Sequence, residues 1–170
     1  MTSSHKEPDM VLEMKDASNR TICDLVFGEA TSHAQQNQQK KNAKDLVRLG
    51  LNLKDSLDNI EDRYGVRDAV LTGAHIVADN MGIYLMARCG NMYLVSHEQD
   101  FVIPDSFKSI LLMNSQYKAF RELVLTIHDG IAPVLQAVGR TGAIIPNPTV
   151  HMLRCTTARS PEFKTYLRKG

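Results

Sequence analysis

The 170-residue chain has no tryptophan, and its tyrosines and phenylalanines together make up only 6% of it. Its core must therefore be aliphatic, built from leucine, isoleucine, valine, alanine and the eight methionines. Charge of one sign is also missing, because 20 basic and 19 acidic residues leave a formal net charge of +1. Whole-chain electrostatics thus argue for neither nucleic acid nor a membrane surface as partner. No apolar run approaches the ~20 residues that cross a bilayer, so no membrane partner is expected. Residues 1–9 are polar and include Pro8, without the charged-then-apolar order of a secretory leader. Cys23, Cys89 and Cys155 are odd in number and widely spaced. They suit neither a disulfide framework nor a zinc set, and they fit a reducing compartment. The histidines never fall at metal-ligand spacing, and no serine sits in a Gly-x-Ser-x-Gly elbow. Gly139-Arg140-Thr141-Gly142 lacks the Gly-Lys-Ser/Thr that a phosphate loop requires and reads as a tight turn. The expectation is a protein with no catalytic residue, no metal and no cofactor.

What is present is periodicity. Leu46, Leu49, Leu53, Leu57, Ile60 and Tyr64 recur at alternating spacings of three and four, with charged residues mostly between them. That pattern predicts an amphipathic helix, ended by Gly65. Val66, Val70, Ala74, Val77, Met81 and Leu85, with Leu71 alongside, continue a similar spacing and predict a second helix to about residue 88. The two would form a helical hairpin over residues 43–90, with the second helix as a partner-binding surface. Asp58, Glu61, Asp62 and Asp68 lie near Arg63 and Arg67 and read as a solvated, ion-paired face. His75, beside the apolar stripe, reads as structural.

Residues 1–42 read as a polar, largely disordered arm, with Asp9–Lys15 and Ile22–Phe27 left open between short helix and short strand. Residues 91–100 read as a linker. Beyond Pro104, a short helix around Phe107, Ile110, Leu111 and Met113 is followed by a second with Phe120, Leu123, Val124 and Ile127. Val134–Val138, the Gly139–Gly142 turn and Ala143–Ile145 then read as a β-hairpin. This order predicts a winged-helix-like domain over residues 101–150, with a basic tail over 151–170. The fold class expected is mainly α with a small β-hairpin: an N-terminal helical hairpin followed by a winged-helix-like domain.

Two segments carry a family resemblance. The first is Arg67-Asp68-Ala69-Val70-Leu71 followed by Ile76-Val77. The second combines Phe101-Val102-Ile103-Pro104-Asp105-Ser106-Phe107, Ile127-His128-Asp129-Gly130-Ile131-Ala132 and Gly142 to Pro146. In this order they resemble the kleisin subunit of the structural-maintenance-of-chromosomes (SMC) five–six complex, non-SMC element four. The chain departs from that family at Thr72 and at Asp79-Asn80-Met81, and only a short connection separates the halves. The resemblance implies a non-enzymatic nuclear subunit that bridges SMC five and SMC six in DNA repair and recombination. It also implies a MAGE-type winged-helix subunit as partner. The second helix would lie on the SMC six neck, and the winged helix would cap the SMC five head.

Two other functions are open at this stage. A small winged-helix nucleic-acid-binding protein would contact phosphate through Arg140, Arg154, Arg159, Lys164, Arg168 and Lys169. A self-associating helical interaction module would pair residues 43–90 with a second copy as a four-helix bundle.

Overall fold

The structure is a computed structural model that describes residues 8–15, 19–106, 109–140 and 154–155. Its elements run β1 (Met10–Lys15), β2 (Thr21–Thr31), a single 3-10 turn (His33–Gln35), α1 (Gln39–Tyr64), β3 (Val70–Val77), β4 (Asn80–Cys89), β5 (Met92–Val102), α2 (Ile110–Arg140) and β6 (Arg154–Cys155). The strands form one mixed sheet in the order β5-β4-β3-β2-β1-β6. β2 and β3 are parallel, from Val26 opposite Thr72 to Thr31 opposite Val77. A parallel pair needs a crossover, and α1 supplies it. The other pairings are antiparallel. Ala78-Asp79 turns β3 into β4, and Gly90-Asn91 turns β4 into β5.

Alternation along β3 assigns a helix to each face of the sheet. A Cβ added at Gly73 would stand 3.0 Å from the side chains of Leu49 and Leu53, so that face carries α1. Successive residues on a strand point oppositely. Ala74 accordingly packs with Ile83 and Phe101 against Ala119, Phe120 and Leu123 of α2. At Val70, on the same face, a Cβ on Gly130 would come 2.7 Å from the backbone oxygen. Gly130 is therefore where α2 touches the sheet backbone. The larger core gathers Leu49, Leu53, Leu57 and Ile60 of α1 with Phe27, Leu71 and Met86 of the sheet. Val134 and Val138, late in α2, complete it.

Several expectations are corrected. Among the described residues the fold is a three-layer α/β arrangement, with 37% of those residues in strands and two α-helices, not mainly α. The second half of the helical hairpin is absent: residues 70–89 form the β3–β4 hairpin. Val66 lies in the loop after α1, Val70, Leu71, Ala74 and Val77 on β3, and Met81 and Leu85 on β4, so they share no helical stripe. The cause is burial on both faces. A central strand covered on both sides is apolar at consecutive positions, which periodicity alone cannot tell from a helix. Gly73 and Gly82 would each cost a helix about 1 kcal/mol; in the sheet one admits Leu49 and the other the side chain of Asp100.

The supposed linker, 91–100, is most of β5, and the supposed disordered arm holds β1, β2 and the start of α1. The described residues of the expected winged-helix-like domain are arranged differently as well. Its two short helices are one helix, α2, running through Asn114-Ser115 and Asp129-Gly130 and containing Pro133. Val134–Val138, read as a strand, belongs to that helix. The expected second wing strand, Ala143–Ile145, lies outside the described residues, as do Thr141 and Gly142 of the turn.

Candidate functional site

Among the described residues three places stand out. The first is an ionic cluster at the carboxyl ends of the parallel strands, under the first turns of α1. Glu29 on β2 and His75 on β3 are directly opposite in register. Above them, Arg48 of α1 lies 3.0 Å from the buried carboxylate of Glu29 and is also bonded to Asp45. Asp45 accepts further hydrogen bonds from Thr31 (2.8 Å) and Lys41 (3.0 Å). Burial opposes ionisation of Asp45, but the bonds from Lys41, Thr31 and Arg48 outweigh it and hold its carboxyl below the usual carboxylate range. Burial keeps His75 neutral by lowering its pKa, partly opposed by Asp45. Its Nε2 is enclosed and has no hydrogen-bond partner. The charges of this cluster balance one another, and its acids are enclosed by α1, so it reads as a polar seam fixing α1 on the sheet.

Beside it, an open depression of about 1140 Å³ runs along Gln38–Arg48, with Lys40, Lys41 and Lys44 on its wall. Most amides at this helix start are already paired within the chain. Gln38 donates to Gln35, Gln39 to Asn37 and Lys41 to Gln38. Cys23, the buried thiol of β2, is pushed up to about 12 by burial and then by Asp24, so it is no nucleophile at neutral pH. Among the described residues no group of His, Cys, Asp and Glu is placed to hold a metal ion.

The second place is the β5 end of the sheet. α1 packs mainly on β2 and β3 and α2 on β3, so among the described residues the stretch Met92 to Asp100 of β5 is thinly covered, whereas Phe101 is buried. Met92, Leu94 and Val95 are 66%, 56% and 55% exposed. Near Tyr93 an ionic cluster ties β5 and β4 to α1. Arg88 pairs with Glu61 and Asp58, Lys54 bonds Asp58 at 2.7 Å, and the Tyr93 hydroxyl donates to Asp58. The bonds from Lys54 and Tyr93 hold the Asp58 carboxyl below its usual range. Asp58 and Glu61 are therefore ion-paired, while Asp62 and Asp68 stand outside this cluster. Farther along β5, His97 packs its ring 5.0 Å from that of Tyr84 and lies 3.0 Å from the Asp100 carboxylate.

The third place is the outer flank of α2. Ile110, Leu111, Tyr117, Val124 and Leu125 are exposed, with Tyr117 at 68% and Val124 at 63%. They recur about every two turns, as a second apolar stripe beside the one that packs on the sheet.

Of the residues singled out in the sequence, Leu49, Leu53, Leu57 and Ile60 are buried on α1, whereas Leu46 is at the margin of exposure. The intended partner-binding set is scattered: Leu71 and Ala74 are buried between the layers, and Val66, Val70, Val77, Met81 and Leu85 are half-buried. Arg140 is exposed at the end of α2, and Arg154 lies in β6 opposite Val11. Arg159, Lys164, Arg168 and Lys169 lie outside the described residues. Sequence reasoning missed Glu29, Asp45 and Arg48, and it missed the β5 edge. A usable signal existed for β5 in Met92-Tyr93-Leu94-Val95, a short apolar run of strand formers just after Gly90-Asn91.

Among the described residues the fold defines a class: a mixed sheet between two helices, with β6 on one end and no strand beyond β5 at the other. No known protein family, curated protein or solved structure matches this chain.

Proposed function

We propose that this chain is a non-catalytic protein-binding subunit, which presents the β5 end of its sheet and the outer flank of α2 to another protein. The observation that carries the reading is the exposure of Met92, Leu94 and Val95 on β5 and of Tyr117 and Val124 on α2. Large apolar side chains gathered at one edge and one helix flank are the signature of an interaction surface. The kleisin reading keeps only its coarser content here. Of the intended anchors on the SMC six neck, Leu71 and Ala74 lie inside the core, while Val66, Val70, Val77, Met81 and Leu85 are half-buried and share no helical stripe. SMC five, SMC six and a MAGE-type subunit stay among the candidates to be sought. A nucleic-acid role has less support, since Arg140 ends a helix and no wing surrounds it among the described residues.

The test is affinity purification of the tagged full-length chain from its native cells, beside Val124→Asp and Leu94→Asp, with mass spectrometry of the eluate. Expected is a protein recovered at fixed stoichiometry with the parent and lost in at least one variant whose circular dichroism and melting are unchanged. Recovery of the chain alone, or loss only in variants that unfold, overturns the reading.

A further inference from the structure

We propose that the outer edge of β5 is the docking site for an extended basic segment of another protein, which adds to the sheet as a further strand. The inference rests on the protein-binding reading above and names its contact and the chemistry of its partner. The two edges of the sheet differ. β1 is covered by β6, with Met10 opposite Cys155 and Val11 opposite Arg154. β5 has no strand beyond it among the described residues.

The ladder shows which amides are available. The N–H of Ile103 donates back to Asp79, at the β3–β4 turn, whereas that of Val102 points away and donates to Oε1 of Gln116 at 3.3 Å. Val102 stands opposite Asn80 and Val95 opposite Met86. These β4 positions are an even number of residues apart, so the Val95 amide points outward as the Val102 amide does. By the same parity Tyr93, opposite Arg88, and His97, opposite Tyr84, also offer outward amides. Gln116 occupies the Val102 end, and the run from Tyr93 to His97 is left as a template.

Native edges are normally closed to pairing by lysine, proline or a bulge. Here no Lys or Arg occurs between Cys89 and Phe107, and Pro104 comes after the strand has ended. The register shift lies beyond His97, leaving Met92 to His97 regular. What the edge does carry is acid. Glu98, Asp100 and Asp105 are the charged residues between Cys89 and Phe107, and each is exposed. An acidic incoming strand would be repelled, and a lysine- or arginine-bearing one would be attracted. Apolar side chains of that strand would meet Val95 on the α1 face and Leu94 on the α2 face, because strand addition uses backbone bonds for affinity and alternate side chains for choice.

The test uses the full chain, isotopically labelled, titrated with a short peptide alternating valine and lysine and with its twin alternating valine and glutamate. Expected are amide shifts centred on Tyr93, Val95 and His97 with the lysine peptide and none with its twin. Val95→Pro removes an outward N–H while sparing the bonds to β4. It should weaken the lysine peptide by about tenfold or more, the double variant Glu98→Lys/Asp100→Lys by about tenfold at low salt. If Val95→Pro fails to fold, the charge-reversed pair at exposed positions still decides. Shifts elsewhere, no binding, or equal binding of both peptides overturns the proposal. So does a dimer of the free chain that Val95→Pro dissociates, which would place a second copy on the edge. A cellular partner lost in Val124→Asp but retained by Val95→Pro would sink this inference and leave the protein-binding reading standing.

Discussion

Glycines at different places on α2 should respond in opposite directions to the same substitution. Alanine is the better helix former by about 1 kcal/mol, so Gly→Ala in an open helical position stabilises. Gly139 is exposed and has no atom near its missing Cβ, and Gly139→Ala should raise stability by about 0.5 kcal/mol near this helix end. Gly130 has the backbone oxygen of Val70 at 2.7 Å, which cannot rotate aside. Gly130→Ala should therefore cost about 2 kcal/mol in urea denaturation despite the propensity gain. A stabilised Gly130→Ala would mean that α2 does not rest on β3. His75 gives a second test at this scale. Glu29 faces it from β2, Lys41, Asp45 and Arg48 from α1, and Asp100 lies beyond Gly82 on β5. Its folded pKa lies below the unfolded 6.5, mainly through burial. The unfolded chain thus binds the proton first, and stability is full above that value and falls as pH drops below it. His75→Gln should flatten the melting temperature between neutral and mildly acid pH. An unchanged slope would place the titrating group elsewhere.

At the scale of elements, α2 has two apolar stripes with different work to do. Phe120 stacks on Phe101 with ring centroids 4.2 Å apart, inside the smaller core. Val124, one turn on, meets solvent. Phe120→Ala should cost about 2–3 kcal/mol and Val124→Ala no more than about 0.5 kcal/mol, read from denaturation midpoints. A large cost for Val124→Ala would place it in a packed core and remove it from the proposed interaction surface. The same contrast explains what the sequence disclosed. α1 was legible because it covers one face of the sheet, so Leu49, Leu53, Leu57 and Ile60 are buried in a clean helical period. Its end at Gly65, with φ 67°, was legible because that angle favours glycine. β3 was not, since Leu71 serves one helix and Ala74 the other, and doubly buried strands carry no alternation. α2 was read as pieces because Asn114-Ser115 and Asp129-Gly130 are local breakers that tertiary packing overrode. The polar seam was hidden for a different reason: Glu29, Asp45 and His75 are far apart in sequence and meet only through the crossover.

For the whole molecule, the order of the sheet sets a gradient of stability from its middle to its open end. β3 has a strand on each side and a helix on each face, so none of its amides can open without dismantling a layer. Among the described residues β5 has one neighbouring strand, thin cover from Met92 to Asp100 and, from Tyr93 to His97, alternate amides directed away from β4. Amide exchange follows the free energy of the smallest opening that frees each bond. Leu71 to His75 should therefore exchange only with global unfolding, at rates that track the denaturant midpoint. Tyr93, Val95 and His97 should exchange almost as fast as free peptide, and Leu94, whose parity directs its amide toward β4, should be slower than either neighbour. That alternation separates an open edge from a frayed strand, in which all of these amides would exchange alike. Uniformly fast exchange would mean that β5 is loosely held and offers no fixed template. Uniformly slow exchange would mean that something already covers the edge. The alternating pattern is what a sheet with one finished side and one unfinished side must produce, and it can be measured before any partner is known.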